Sequence, residues 1–285
     1  MTADQSPLDI AAALRRAVAR LRPSRSADLD AELLLGQVLA CSRGALLARG
    51  DGLLSPQQRL DFERAVERRA AGEPLAYILG RREFWSLELE VNPAVLVPRP
   101  ETELIVERAL ALWDSGPAEV CDLGTGSGAI ALALARERPL WTVTATDCSG
   151  EALRVAAANA RALRQENLRF QAGRWFDPLR SQRFALVVSN PPYIRSDDPA
   201  LDDPALRHEP RGALTSGPTG LEDLARIAAG APEHLVPGGW LVLEHGADQA
   251  AAVADLLVAR GLRHVRCHRD LAGLPRVTEG QRPAP

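Results

Sequence analysis

Asn190-Pro191-Pro192-Tyr193, in the second half of the chain, has the residue types and order that methylation of a planar nitrogen requires. Two consecutive prolines lack N–H donors, fix their own φ and push the residue before them out of the helical region. What remains is a stiff, extended rim with free acceptors. Asn190 Oδ1 and the Pro191 carbonyl would then accept the two N–H bonds of an amino or amide group, pushing electron density onto a nitrogen whose lone pair is otherwise delocalised. Tyr193 offers a flat ring against which a planar substrate group stacks. Such a site serves methylation of an amide or an exocyclic base amine by a sulfonium donor. Asn-Pro alone is also a common turn signal, so the chemical reading needs a donor site beside it.

Asp122-Leu123-Gly124-Thr125-Gly126-Ser127-Gly128 supplies one. It follows an apolar strand-like run and opens a helix, where glycines let the backbone approach a ligand and the helix N-terminus follows. The spacing is G-x-G-x-G, not the G-x-G-x-x-G of the dinucleotide fingerprint. Asp147 ends the next apolar run, where a carboxylate can accept both ribose hydroxyls of a nucleoside. This layout alone leaves dehydrogenase and methyltransferase both open. The Asn190 turn decides for the second.

Other reactive residues fit weaker schemes. All the basic residues except histidine are arginines, which excludes Schiff-base or lysine-nucleophile chemistry. Cys41, Cys121, Cys148 and Cys267 form no C-x-x-C pair, so neither a disulfide framework nor a zinc knuckle is expected. His264 and His268 flank Cys267, but no second ligand cluster accompanies them and no metal is expected. His245 follows Glu244 at a strand end, where it either faces the site or, the preferred reading, is a satisfied core residue.

The elements that must hold these residues fall into two textures. The first is all-helical. Ser6-Pro7 opens a helix with Ala11, Leu14, Val18 and Leu21 at helical spacing; Ser26 opens another with Leu29, Leu33, Leu34 and Val38; Ser55-Pro56 opens a third through Leu60, Phe62 and Val66. Three such stripes can bury one another as a small bundle. After Pro74, Glu83-Phe84-Trp85 through Val97 reads as a β-hairpin turning at Asn92-Pro93. A helix follows over 101–113. Then strands (119–123, 141–146, 184–189, 239–244, 262–267) alternate with helices (127–138, 150–163, 221–235, 248–260). That alternation predicts a mostly parallel sheet with helices on both faces. Residues 197–203 read as a long mobile loop after the Asn190 turn, which either closes over substrate or is simply solvated.

In this order the chain carries Tyr77-Ile-Leu-Gly80, Glu83-Phe84-Trp85, Val97-Pro98-Arg99-Pro100-Glu101-Thr102-Glu103, the glycine loop and Ser189-Asn-Pro-Pro-Tyr-Ile194. Pro237-Gly238-Gly239, Gly246 with Gln249, and Asp270-Leu-Ala-Gly273 ahead of Arg276-Val277 follow. From about Pro74 to Val277 this resembles the peptide-chain release factor glutamine N5-methyltransferases. The tetrapeptide is shared with adenine and guanine amino-methyltransferases; the Pro98–Glu103 stretch is the more family-specific mark.

The resemblance implies an α/β, Rossmann-like class I methyltransferase sheet preceded by a small all-α bundle and a β-hairpin. Residues 1–74 would be a helical substrate-recognition domain, 75–100 a hairpin linker and 101–285 the S-adenosylmethionine-dependent methyltransferase domain. It implies that Gly124, Thr125, Gly126, Ser127 and Gly128 cradle S-adenosylmethionine. Asp147 holds its ribose, Trp175 lies next to its adenine, and Asn190 borders the same site. Asn190, Pro191, Pro192 and Tyr193 bind the glutamine amide of a release factor's Gly-Gly-Gln loop, with Asn190, Pro191 and Tyr193 as the catalytic set. Arg99 and Glu103 order the hairpin or form a structural ion pair. The chain departs from the family at Leu274-Pro275, where relatives carry polar residues.

Composition bounds the rivals. Of 285 residues, 46% are hydrophobic and 25% charged, enough for a real core, and the net charge of −3 argues against binding nucleic acid through bulk positive charge. An amino-methyltransferase acting on DNA or RNA shares the tetrapeptide but should bring a basic groove. A non-catalytic adaptor would have no need of intact glycines, Asp147 and the Asn190 turn. No apolar run is long enough to span a membrane, and the first ten residues lack a basic-then-apolar leader pattern. A cytoplasmic protein without membrane or nucleic-acid partners is therefore expected; the resemblance implies release factors as its partners, and a monomer is expected.

Overall fold

The computed structural model describes residues 8–22, 24, 26–48, 50–113 and 116–284. The chain divides into two compact units, residues 1–80 with 203–208, and residues 81–202 with 209–285. The expected cap at Ser6-Pro7 lies outside the described residues.

The first unit is helical: α1 (Ile10–Leu21), α2 (Ala27–Val38), α3 (Arg43–Leu47), α4 (Pro56–Ala70) and α5 (Leu75–Leu79). Asp9 caps α1 by accepting the Ala12 amide. Ser55 and Gln58 form a reciprocal capping box on α4, with Pro56 at the first position, so the start signal read there operates as its chemistry requires. Of the predicted stripes Leu21, Leu34, Phe62 and Val66 are buried and Leu14, Val18 and Val38 pack against the core, but other residues carry much of the contact. On α1 the buried stripe is Ile10, Ala13, Ala17 and Leu21, and on α2 Ala31, Leu34 and Leu35, while Leu29 and Leu60 are exposed. Alanines (Ala13, Ala17, Ala27 and Ala31) are buried in this core, while Leu14, Val18 and Val38 are only partly buried against it. Inside this core Asp30 is buried and is matched by Arg69 Nε at 2.7 Å.

The second unit begins with a hairpin, β1 (Arg81–Phe84) and β2 (Leu87–Glu90). Its turn is Trp85-Ser86, not the Asn92-Pro93 that composition suggested. Both turn residues have left-handed φ (51° and 55°), the mirror-type turn whose twist matches antiparallel strands. Glu103 Oε1 accepts the Trp85 amide at 2.8 Å and holds that costly geometry. Asn92 instead makes a local turn, its Oδ1 accepting from the Ala94 amide at 2.9 Å.

Then come α6 (Glu103–Leu112), β3 (Ala118–Leu123), α7 (Ala129–Glu137), β4 (Trp141–Asp147), α8 (Gly150–Ala162), β5 (Leu168–Ala172) and β6 (Phe184–Ser189). The chain ends with α9 (Glu222–His234), β7 (Leu235–Glu244), α10 (Ala250–Ala259), β8 (Arg263–Arg269) and β9 (Pro275–Gln281). The seven strands lie in the order β5-β4-β3-β6-β7-β9-β8, parallel except for β9, which runs antiparallel to both neighbours. Strands β5 and β9 are additions to the sequence reading. β5 is short and only half-buried, and β9 carries Pro275 at its first position, the one place where a strand loses no ladder bond to it.

Both faces of the sheet are buried. Val120, Val143, Leu186 and Val242 pack with α6 and α7; Cys121, Leu123, Val187, Leu241 and Leu243 pack with α9 and α10. The order reverses between β3 and β6, and ligands of such sheets bind in the crevice beyond the carboxyl ends of the strands at that reversal. Asp122–Gly128 leaves β3 there and Asn190 leaves β6.

Candidate active site

A cavity of about 400 Å³ opens at this edge, a size common for small-molecule sites. Gly124, Thr125, Gly126, Ser127, Asp147, Trp175, Asn190 and Pro192 all line it, so most residues singled out in the sequence share one space. Gly128, Pro191 and Tyr193 are not among its walls.

The glycine loop is fixed from beneath. The Gly124 and Thr125 amides both donate to the Thr146 carbonyl at 2.9 Å, and the Gly126 amide donates to Asp147 Oδ2 at 3.0 Å. Asp147 Oδ1 accepts from the Ser149 amide at 2.8 Å, which orients the carboxylate at the end of β4. Gly124 has φ +74°, and a Cβ there would stand 3.1 Å from Cζ3 of Trp175. Only glycine allows the indole to lie against the loop. Gly128 serves packing instead: it caps α7 with φ +86°, and a Cβ would sit 3.0 Å from Leu132 Cδ1 and 3.2 Å from Ala156 Cβ. Beneath the loop, burial pushes the Asp122 carboxyl up to about 7, with the charge of Asp147 adding to it and the Thr125 hydroxyl, donating at 2.7 Å, opposing it.

Two side chains outside the sequence reading brace this end. Asn159 of α8 accepts the Glu90 amide (2.7 Å) and donates to the carbonyls of Glu90 (3.0 Å) and Ser127 (2.9 Å), tying the hairpin to the loop. Asp223 of α9 accepts from Trp175 Nε1 (3.1 Å), Arg174 (2.7 Å) and Ser216 (2.9 Å), locking the indole in place.

At the other end, Asn190 Nδ2 donates to Thr102 Oγ1 at 3.0 Å, leaving Oδ1 as the amide's free acceptor. Tyr193 departs from expectation. Its ring packs beside the α9–α10 cluster, and its hydroxyl donates to Glu244 Oε1 at 3.3 Å. It is an anchor of the turn rather than a stacking platform, because its hydroxyl finds a buried carboxylate only by pointing inward. Its carbonyl accepts from Gln249 Nε2 at 2.9 Å. Burial raises the Tyr193 phenol well above its ordinary value and pushes Glu244 up to about 7, against the pull of Thr102 and Arg276.

Ala94, Val95, Leu96, Pro98, Pro210, Gly212, Ala213 and Thr215 also line the cavity. The buried Glu209 carboxylate accepts from the Val97 amide at 3.0 Å and pairs with Arg99, so Arg99 acts through an ion pair. Glu103 orders the hairpin turn. The loop expected over 197–203 contains a short 3-10 turn (Pro199–Asp202), and two more follow (Leu206–His208, Arg211–Ala213).

His245 bonds Thr278 Oγ1 and the Gly246 carbonyl, both at 2.8 Å, inside the core. His268 pairs with Glu279 at 3.0 Å. Among the described residues no group of three or more His, Cys, Asp and Glu is placed to hold a metal.

Of the residues that sequence missed, Glu244 had a readable signal. It is an acid ending an apolar strand at the same edge as Asp147 and Asn190. Thr102 lay inside the family-specific stretch without an assigned task.

Residues 12–80 match the family described as PrmC N-terminal domain, and residues 102–203 that described as methyltransferase small domain. A release factor glutamine methyltransferase of Xylella fastidiosa is 49% identical over 279 residues, covering 98% of each chain. That of Pseudomonas aeruginosa is 49% identical, covering 92% of this chain and 95% of its own. That of Vibrio cholerae is 47% identical, covering 95% and 96%. Among solved structures, a methyltransferase from Pyrococcus furiosus superposes with a TM-score of 0.54 at 18% identity, covering 76% of this chain and 98% of its own. The shared fold is the class I methyltransferase sheet.

Proposed function

The chain belongs to the release factor glutamine methyltransferases, and we propose that it transfers a methyl group from S-adenosylmethionine to the N5 amide nitrogen of the glutamine in a release factor's Gly-Gly-Gln loop. One observation carries this reading: the free Oδ1 of Asn190 shares a cavity with the Gly124–Ser127 loop, Asp147 and Trp175.

These residues fit the cofactor. Where a Gly126 Cβ would stand, nothing lies within 4 Å, so the backbone is bare to the cavity. Asp147 keeps lone pairs beyond its two amide contacts for a pair of hydroxyls. The Trp175 ring, held by Asp223, gives a flat apolar wall for a base. When bound, S-adenosylmethionine supplies a methyl group on a positively charged sulfur.

The chain's own work is orientation. Asn190 Oδ1 accepts one N–H bond of the substrate carboxamide, enriching the nitrogen in electron density; the Pro191 carbonyl is assigned the other, although Pro191 itself is not among the cavity's walls. Well-aligned intramolecular reactions reach effective molarities on the order of 10⁵–10⁸ M, so positioning can supply much of the acceleration. The walls at Ala94–Leu96 and Gly212–Ala213 exclude water from a small, flexible peptide segment. One amide proton, held by these acceptors, leaves once the nitrogen has become acidic.

The cavity's single basic lining residue among those described, Arg174, is already paired with Asp223, which weighs against a nucleic acid substrate. We take a monomer as the working unit. We assign the helical unit to recognition of the release factor body and the reaction to the cytoplasm. Among the described residues no helix is long and apolar enough to cross a membrane.

The test incubates the enzyme and S-adenosylmethionine with a release factor, with DNA and with ribosomal RNA side by side. Mass spectrometry should place one added methyl on the Gly-Gly-Gln glutamine. Methyl transfer to a nucleic acid instead would overturn the assignment.

A further inference from the structure

Pro191 and Pro192 have no N–H to donate, so the middle of the turn that presents Asn190 cannot be tied down by amide bonds of its own. Its far end must be held from outside. Two contacts reach Tyr193 there. The hydroxyl meets Glu244 Oε1 at 3.3 Å, long for an O–H···O bond, whereas the backbone carbonyl accepts from Gln249 Nε2 at 2.9 Å. The carbonyl contact is the firmer of the two, and it acts on the main chain instead of the tip of a side chain.

Gln249 ends the turn between β7 and α10, and backbone groups engage both ends of its carboxamide. Oε1 accepts the Gly246 amide at 2.9 Å, while Nε2 donates to the carbonyls of Tyr193 at 2.9 Å and Gly220 at 3.3 Å. A backbone N–H only donates and a backbone carbonyl only accepts, so the orientation is not reversible: turned by 180°, the amide would lose all three bonds. Gly220 closes the clamp. Its φ is +76°, and a Cβ there would stand 2.5 Å from the Tyr193 carbonyl oxygen and 2.9 Å from Gln249 Nε2. Strands β6 and β7 are parallel neighbours, with Ser189 opposite Leu243. The clamp therefore rises from the end of the strand beside the one that feeds the turn. Gln249 is not among the cavity's walls, and its side chain makes no capping bond to α10.

We propose that Gln249 is a positioning residue for methyl transfer: it ties the Tyr193 carbonyl to the end of β7 and so fixes where Asn190 Oδ1 stands in the cavity. This rests on the glutamine methyltransferase reading. It gives a task to Gly246 and Gln249, which stood in the family-like pattern without one. A misplacement of about 1 Å in the reacting geometry can cost about 10²-fold in rate, whereas cofactor held by other walls is left in place.

Q249M keeps the reach of the side chain and removes the three bonds. Q249E keeps the acceptor for Gly246 but aims its second oxygen at two carbonyls, which it repels when ionised and can bond when protonated. Steady-state kinetics with a release factor, calorimetric titration of S-adenosylmethionine and thermal melts are recorded for wild type and both variants from pH 5.5 to 8.5 (roughly the range over which a raised carboxyl titrates). Arg195, Glu222, Glu244, His245, Asp248 and Arg276 lie in the segments around the clamp and are common to all three proteins, so each rate is read as a ratio to wild type at the same pH. Q249M is expected to lose about tenfold to a hundredfold in kcat at every pH, with KM for the release factor and cofactor affinity within about threefold. Q249E should lose at least as much at the alkaline end and recover as pH falls, because the facing carbonyls raise its pKa. Wild-type kcat in Q249M, a Q249E ratio independent of pH, or cofactor affinity falling in step with kcat overturns the proposal while leaving the parent reading intact. Where Q249M melts below the assay temperature, the pH dependence of the Q249E ratio decides alone. Absence of glutamine methylation by the wild-type protein overturns the parent reading, and this one with it.

Discussion

Asn159→Ala tests whether the hairpin holds the cofactor loop. The side chain is 2% exposed and makes three hydrogen bonds, to both backbone groups of Glu90 and to the Ser127 carbonyl. Each is worth about 1 kcal/mol net, and truncation also strands three backbone groups, so the expected loss is about 3–5 kcal/mol. At about 2–4 °C per kcal/mol for a domain of this size, the melting temperature should fall by roughly 10 °C. Cofactor affinity should fall as well, because the Ser127 carbonyl loses its anchor. Asn159→Asp sharpens the argument. Its Oδ1 can keep the Glu90 amide, but its second oxygen then faces two carbonyls, which raises the folded-state pKa above the ordinary value near 3.9. The stability it retains is present below that value and is lost as pH rises through the folded pKa. Asn159→Asp should therefore melt above Asn159→Ala at pH 4 and below it at pH 8. An Asn159→Ala protein melting within 2 °C of wild type, or the opposite order at pH 8, would refute the reasoning.

Asn190→Ala should lower kcat by about 10²–10³, the usual cost of deleting a preorganised polar contact to the reacting group, with cofactor affinity nearly unchanged by calorimetry. Gly124→Ala should cost about 1–2 kcal/mol for the left-handed backbone and displace the Trp175 ring. Tryptophan fluorescence and cofactor titration should both change, and identical values would count against the contact. Glu244 has a folded pKa near 7, above the unfolded value near 4.3, so its contribution to stability is complete below pH 4 and disappears as pH rises past 7. Relative to Glu244→Gln, the wild type should lose roughly 3 kcal/mol of unfolding free energy across that window; a difference independent of pH in urea titrations would contradict this.

Much of the site was legible because its motifs lie at strand ends. Once β3, β4 and β6 are parallel neighbours, the glycine loop, Asp147 and Asn190 must meet at one edge. Thr102, Asn159 and Asp223 were not legible, since their partners lie far away in sequence and a lone polar residue carries no signal of what it will touch, whereas Glu244 could have been read from its place at the end of an apolar strand. The hairpin turn misled for a related reason: Asn92-Pro93 has the stronger local turn chemistry, but the Phe84↔Leu87 register and the distant Glu103 carboxylate place it at Trp85-Ser86. The start at Ser55-Pro56 was legible because capping chemistry is local, but α1 starts from Asp9 and Ser26 makes no side-chain cap on α2. Much of the contact on α1 and α2 falls on Ala13, Ala17, Ala27 and Ala31, whose small apolar area does not mark a stripe.

Strand β8 closes one side of the sheet and carries Arg263, His264, Arg266, His268 and Arg269 within seven residues, mostly exposed. A terminal strand offers bare amides and carbonyls to any passing chain. Here an approaching copy would have to lay one row of guanidinium groups beside another. The seven-stranded layer is thereby kept from growing into a ribbon, and crowding in a concentrated solution meets repulsion where it would otherwise find a template.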